Sequence, residues 1–582
     1  MIIETIKIIQ RGKGSYFMTQ EVKSNYYKEL IDLQDAEGVE AQLQALLEVP
    51  IDSVSDLENW LKDEKELGIK IDEAMTGHQV DFYRNTEDAD IKSTYLHDQQ
   101  VIQPLLMKYE AKMNEKFCES PYAAQLDDKR YGLMRRVRES KVKLFREENI
   151  PLMVKEQELS TKYSEIIAGL TVEWDGEEKP YPFIQSQLDN LDRSVREKAY
   201  YAMLEAHRQI KPDMDSIMDE LVQLRHQIAL NAGFENYRDY MFVVKNREYT
   251  IQDCYDFHEN VEKHIIPAWN RLAEVFKSKL GVDAYRPWDN TAKLMKNPPY
   301  TEVSDLMDGV SEMLGKTDPY FADRFDYMRE NGLLDLGDRK GKSPGGFCTT
   351  LSVSGDTFVF ANFSPSFFSL IALIHEMGHA VNGYLEFAEH GPLEEHQHRM
   401  EVAELYSHGM ELLLLDKLDR FYPEEEDFKS AQREELRRAF TMLYGPLSGD
   451  LFQHWMYTNP NHTAKERDEK YFEIAKRYGL SPVDTSGLED VMGILWADTL
   501  HYFQVPFYNI EYSISMLGSL QILENYHNNP EQAVELFKKG ASADYNQSIA
   551  DIYKETGVSF DFSESAVKRM GEFLEKVIQD IH

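Results

Sequence analysis

The chain has 582 residues, 42% of them hydrophobic, with 33 tyrosines and 29 phenylalanines, which supports a large core and excludes a globally disordered chain. Its formal charge of −38 at pH 7 is spread along the sequence, and this argues against nucleic acid and anionic membranes as partners. The three cysteines, Cys118, Cys254 and Cys348, lie far apart with no CxxC pair, a pattern that points to a reducing, cytoplasmic setting.

Lys7, Arg11 and Lys13 interrupt any secretory pattern at the N-terminus, and no run approaches the ~20 apolar residues of a membrane helix. Residues 1–17 differ in character from the rest of the chain and end just before Met18, as a leader or an added extension would. From 18 to about 170, apolar residues three and four apart predict helices. Ser55-Asp56 and Ser120-Pro121 are expected helix starts. The run TVEWDGEEKPYPF at 171–183 predicts a hairpin turning on Asp175-Gly176, a pair suited to a tight primed turn. One helix is expected over 192–210, and another over 214–232, stopped by Gly233.

Between 337 and 365 the helical pattern breaks. A Gly/Lys/Ser/Pro-rich loop leads into FCTTLSV and DTFVFANF, two β-rich runs joined at Ser354-Gly355 and predicted to form a hairpin. If DTFVFANF is an edge strand, an extended peptide can add to it through main-chain hydrogen bonds. Gly345 and Gly346 suit either a mobile approach of the loop or a simple turn. After Pro365 the chain reads as helical almost to its end, and the acidic PEEEDF at 423–428 suits a helix start. The expected fold is mainly α with a small sheet.

In ALIHEMGHAVNGY, His375 and His379 stand four apart, so a helix sets both imidazoles on one face, able to share a metal. Glu376 lies beside them, with its carboxylate available to a metal-bound water. Gly378 allows a neighbouring backbone to come close. HExxH alone arises by chance in about one such chain in twenty. A catalytic zinc needs a third protein ligand and a free position for water. Asn382 and Leu385 exclude the extended HExxHxxGxxH form. A second helix, MEVAELYSHGMELLLLDKL, offers Glu401, Glu404, Ser407, His408 and Glu411 among apolar neighbours. Glu404 and Glu401 are both candidates, because a buried glutamate needs a partner. His390, His396 and His398 lie between the helices in what reads as an exposed loop.

HEMGHA followed by Glu404-x-x-Ser407-x-x-x-Glu411 resembles the thimet oligopeptidase and oligoendopeptidase F family of zinc metallopeptidases. The stretches LVQLRHQIALNAGFENYRDYMF, GGFCTTL, FQHWMY and HYFQVPFYNIEYSIS extend the likeness over about 192–571. The resemblance implies Glu404, rather than Glu401, as the third ligand, and one Zn²⁺ per chain. It implies that His501, Tyr508 and Tyr512 face the substrate, while Ser515 stands where some members carry another tyrosine. Two helical lobes around a deep channel are implied, with an N-terminal lobe over 18–191 and the catalytic domain over 192–582. Short unfolded peptides are the implied substrates, with no nucleic acid or membrane partner.

The chemistry expected from these residues is a zinc-activated water, with Glu376 as base and then acid. Tyr508 and Tyr512 would steady the oxyanion. Glu411 either orients a histidine ligand or is purely structural. A metallocarboxypeptidase of related fold and a non-catalytic peptide-binding protein are the competing readings. The sequence does not give the oligomeric state.

Overall fold

The computed structural model describes residues 26–392 and 399–581. The expectations for residues 1–17, His396 and His398 fall outside them. The elements that frame the site are α1 (Val54–Arg84), α2 (Ile150–Ala168), β1 (Thr171–Trp174), β2 (Glu177–Pro180) and α3 (Arg193–Asn231). They are followed by β3 (Leu334–Asp335), β4 (Phe347–Thr350), β5 (Thr357–Phe360), α4 (Phe367–His390) and α5 (Met400–Leu413). The last are α6 (Glu425–Thr458), α7 (Leu500–Gln504) and α8 (Asn509–Asn528). The fold is mainly helical with two small sheets.

Helix α1 starts behind Ser53, whose hydroxyl accepts the Asp56 N–H at 3.1 Å, two residues before the expected Ser55. Ser120 closes a helix instead of opening one. Pro121 leads only into a short 3-10 turn, and the next helix waits for Asp127, whose carboxylate caps Arg130 N–H. The two helices expected over 192–232 are one, α3, running through Pro212. Proline inside a helix costs ~3 kcal/mol. Ile210 and Met214 on either side of it are buried, and that packing holds the helix together. Gly233, at φ +89, ends it as expected.

The β1–β2 hairpin turns on Asp175 (φ +54) and Gly176 (φ +81), the two left-handed residues a primed turn needs. In the second sheet the order is β3-β5-β4, with β4 antiparallel and β3 parallel to β5. The predicted hairpin is there, but its edge is reversed: β5 is paired on both sides, and β4 is the outer strand. The cause is β3, two residues long, too short for its alternation to be read. Helix α6 begins with Glu425, Glu426 and Asp427 in its first turn, the favourable end of the helix dipole.

Among the described residues the buried apolar side chains form two main cores and a small third cluster about Tyr200, Leu204 and Trp288. The smaller main core gathers Leu33, Trp60, Ile102 and Phe117, and the much larger one runs from Val80 through the sheet and helices α3 to α8. Helix α1 contributes to both, and it grips the hairpin. Glu73 accepts Val353 N–H at 2.6 Å, and Arg84 Nε donates to Asp335 Oδ2 at 2.8 Å. Among the described residues the three cysteines are free and no helix is long and apolar enough to cross a membrane.

Candidate metal centre and active site

Helix α4 is capped by Ser366, whose hydroxyl accepts Ser369 N–H. Leu370, Ile371, Leu373, Ile374 and Met377 are buried, which turns the opposite face, with His375 and His379, toward α5. The two rings stand 5.0 Å apart between centroids. Both Nε2 atoms approach one oxygen: His375 at 3.4 Å and His379 at 3.7 Å from Glu404 Oε2. Glu404 is nearly closed off, at 8% exposure, while each histidine keeps 21%, so the cluster is walled by α5 and open on its other side.

Around these three stands a supporting layer. Ser407 Oγ donates to Glu404 Oε2 at 2.8 Å. Glu411 Oε1 accepts from His375 Nδ1 at 2.5 Å and lies 3.2 Å from His408 Nδ1. With Nδ1 engaged by Glu411, Nε2 is the ring nitrogen that His375 turns toward Glu404. Glu401 faces elsewhere: its Oε1 accepts from Tyr249 at 3.0 Å. His390, at the end of α4, meets Ser542 O at 2.9 Å and takes no part in the cluster. The structure therefore brings together Glu404 and not Glu401, and it gives Glu411 an orienting contact.

Burial and mutual charge shift the titration of these same residues. Burial pushes the Glu376 carboxyl up to about 7, with the charges of Glu404 and Glu411 adding to the effect. Burial lowers His379 to about 4, more than Glu404 can offset. Burial also disfavours charge on His375, but its bond to Glu411 and the nearby carboxylates carry it up to about 9. Burial alone would raise Glu411, yet His408 and His375 hold it well below the ordinary carboxylate range.

Three carboxylates, Glu376, Glu404 and Glu411, thus stand among three imidazoles, His375, His379 and His408. His375, His379 and Glu404 each offer one donor atom, all within 4.8 Å of one another. Two nitrogens and one oxygen on facing helices, open on one side, are the donor set of a catalytic zinc site, and they fit that ion. A second group of possible donors, Cys254, Asp450 and His454, is fully buried. There Asp450 already accepts from His258 at 3.0 Å, and the buried Arg247 guanidinium lies within its field, so a cation is less suited to it.

His501 on α7, Tyr508 just before α8 and Tyr512 in its first turn form one aromatic cluster. The centroid separations are 5.0 Å for the tyrosine pair, and 5.8 and 6.0 Å from His501 to Tyr508 and Tyr512. The negative charge of Glu404 acts on both phenols and, behind the larger effect of burial, helps raise them. Burial lowers His501 and favours its neutral form. Ser515 is fully buried and bonds Tyr512 O at 2.8 Å, so no third hydroxyl joins the pair. Strand β4 packs on α4. The Cys348 thiol within it is pushed up by burial, with the Glu376 charge adding. Gly345, at φ +105, makes the bend before β4.

Two relationships escaped the sequence. Ser407 and His408 read there only as polar positions on an apolar helix, with no partner named. The contacts of Arg247 and Gln453 with the backbone of Phe507 join residues more than 50 apart in sequence, and no local pattern announces them.

The family model described as Peptidase family M3 matches residues 186–572. The group B oligopeptidase PepB of Streptococcus agalactiae is 20% identical, covering 91% of this chain and 94% of that protein. The structure of PZ peptidase A with an inhibitor shares the fold at a TM-score of 0.84 and 23% identity, over 96% of this chain and 99% of the other. Oligoendopeptidase F from Enterococcus faecium has a TM-score of 0.65 and 14% identity, over 94% and 97%.

Proposed function

Because this chain belongs to peptidase family M3, we propose that it is a zinc-dependent endopeptidase that cuts short, unfolded peptides in a reducing cytoplasm. The observation that carries the reading is the approach of His375 Nε2 and His379 Nε2 to a single oxygen of Glu404. These three side chains would hold one zinc ion per chain, with Glu411 fixing the His375 tautomer and Ser407 the Glu404 carboxylate. When bound, zinc supplies a Lewis acid that polarises a peptide carbonyl and brings the pKa of water down to ~7.

Glu376, next to His375 and raised toward neutrality by burial, takes a proton from the attacking water and passes it to the departing amine. The hydroxyls of Tyr508 and Tyr512 donate to the carbonyl oxygen as it gains negative charge, and the neutral His501 faces the same substrate. The free edge of β4 offers main-chain donors and acceptors, and an extended peptide lies along it as a fourth strand. Backbone pairing tolerates many sequences, and a channel between two helical lobes admits only flexible chains.

Glu376→Gln tests the proposal. The variant is expected to keep one zinc per chain by elemental analysis and to lose at least about 100-fold in turnover. A wild-type protein that binds no zinc, or a variant with full activity, defeats it. The substrate for this assay is a peptide blocked at both ends, because internal cleavage of it also excludes a carboxypeptidase.

A further inference from the structure

Phe507 is held at φ +61, in the left-handed region that costs an L-residue roughly 1–2 kcal/mol. It immediately precedes Tyr508, so its backbone sets the direction in which that phenol leaves the chain. Both of its peptide groups are tied down. The N–H donates to Gln453 Oε1 at 2.8 Å, and the carbonyl accepts from the Arg247 guanidinium. The ring is fully buried, 5.6 Å from His454 and 5.5 Å from Tyr457 between centroids.

A few residues earlier, a second arginine repeats the device. Arg225 Nη1 donates to Tyr502 O at 2.7 Å and Nη2 to Phe503 O at 2.6 Å. The side chains of Arg225 and Arg247 are 0% and 1% exposed. Arg225 has Glu156 as a counter-charge at 2.6 Å. Arg247 has Glu511 at 3.6 Å, and its Nε and Nη1 find no hydrogen-bond partner among the described residues. The Phe242 and Tyr249 rings lie 4.6 and 5.3 Å from that guanidinium, but a buried N–H left without a hydrogen bond is still costly. A strained backbone and buried N–H groups without hydrogen bonds, next to a proposed reacting group, point to a segment held in place for function.

We infer that Arg247 and Gln453, supported by Arg225, are positioning residues. They lock the segment 502–507 so that His501 at its start and Tyr508 and Tyr512 beyond its end converge on one point. This rests on the substrate-facing role proposed for the two tyrosines.

Gln453→Met removes the acceptor at matched length, and Arg247→Lys keeps the charge without the fork. Both are compared with the parent enzyme in kinetics and in hydrogen exchange over 505–512. We expect kcat to fall about 10- to 100-fold with KM within about threefold, faster exchange in that segment, and zinc content unchanged. The double variant Gln453→Met/Tyr508→Phe should lose clearly less than the two single losses multiplied, since the lock acts in part through that phenol. Unchanged exchange in the segment, or losses that multiply in the double variant, overturns the inference. A fully active Tyr508→Phe instead defeats the role given to the phenol, and the exchange rates then decide the lock by themselves.

Discussion

Gly378 and Ser407 touch backbone to backbone: a Cβ built on the glycine would lie 2.5 Å from the Ser407 Cα and 2.9 Å from its nitrogen. Helix α4 carries the histidines and α5 carries Glu404, so this contact fixes how far apart the donors stand. Gly378→Ala must push the helices apart or distort one of them, and overpacking of this kind costs about 1–3 kcal/mol. The expected outcome is a lower melting temperature together with a weaker zinc affinity. Alanine tolerated with unchanged affinity would show that the donor geometry does not depend on this approach.

Ser407 reaches the same site by a different route. Its hydroxyl bonds Glu404 Oε2, the oxygen that faces both imidazoles. In Ser407→Ala the carboxylate is free to rotate, and metal affinity should fall about 10- to 100-fold, the usual cost of losing an outer partner. Competition with a fluorescent chelator measures it, and melting temperature in excess zinc should stay near that of the parent.

Acid stability turns on Asp335. Burial would raise this carboxyl, but Arg339, Lys342 and Arg84 all bond it and hold it well below the ordinary range. The folded protein therefore binds fewer protons here than the unfolded chain. The stability gained is fully present above the unfolded value of ~3.9 and is lost as pH falls below it. Burial also pulls down the Lys342 ammonium, so the cluster is worth less than the Asp335 shift alone implies. Asp335→Asn leaves the fully buried Lys342 ammonium without its carboxylate and should cost about 3–5 kcal/mol at pH 7. The gap from the parent should narrow below pH ~4. Thermal melts at the two pH values test the sign.

The reversed edge of the sheet gives a prediction about substrates. A peptide paired with β4 uses every second residue's main-chain groups, because alternate residues point opposite ways. A series of one peptide with single N-methyl groups should lose affinity at alternate positions only. Uniform tolerance of N-methylation, read from inhibition constants, would rule out strand addition as the binding mode.

The site was legible where it was local. The four-residue spacing of His375 and His379 and the primed turn at Asp175-Gly176 are short-range facts, and the structure reproduces both. The likeness to a known family separated Glu404 from Glu401, which spacing alone left open. What stayed hidden was set by contacts distant in sequence. Two residues at 334–335 decided which strand is the edge. Buried Ile210 and Met214 carried a helix through Pro212, against local preference. Arg247 and Gln453 meet at Phe507, and only folding makes them neighbours.

Helix α1 is a single rod of 31 residues, about 45 Å at 1.5 Å per residue. Trp60 near one end belongs to the smaller core and Val80 near the other to the larger, while Glu73 between them holds the turn of the β4–β5 hairpin. Any displacement of the smaller core is therefore passed on to the β4–β5 turn, because one continuous helix carries both attachments.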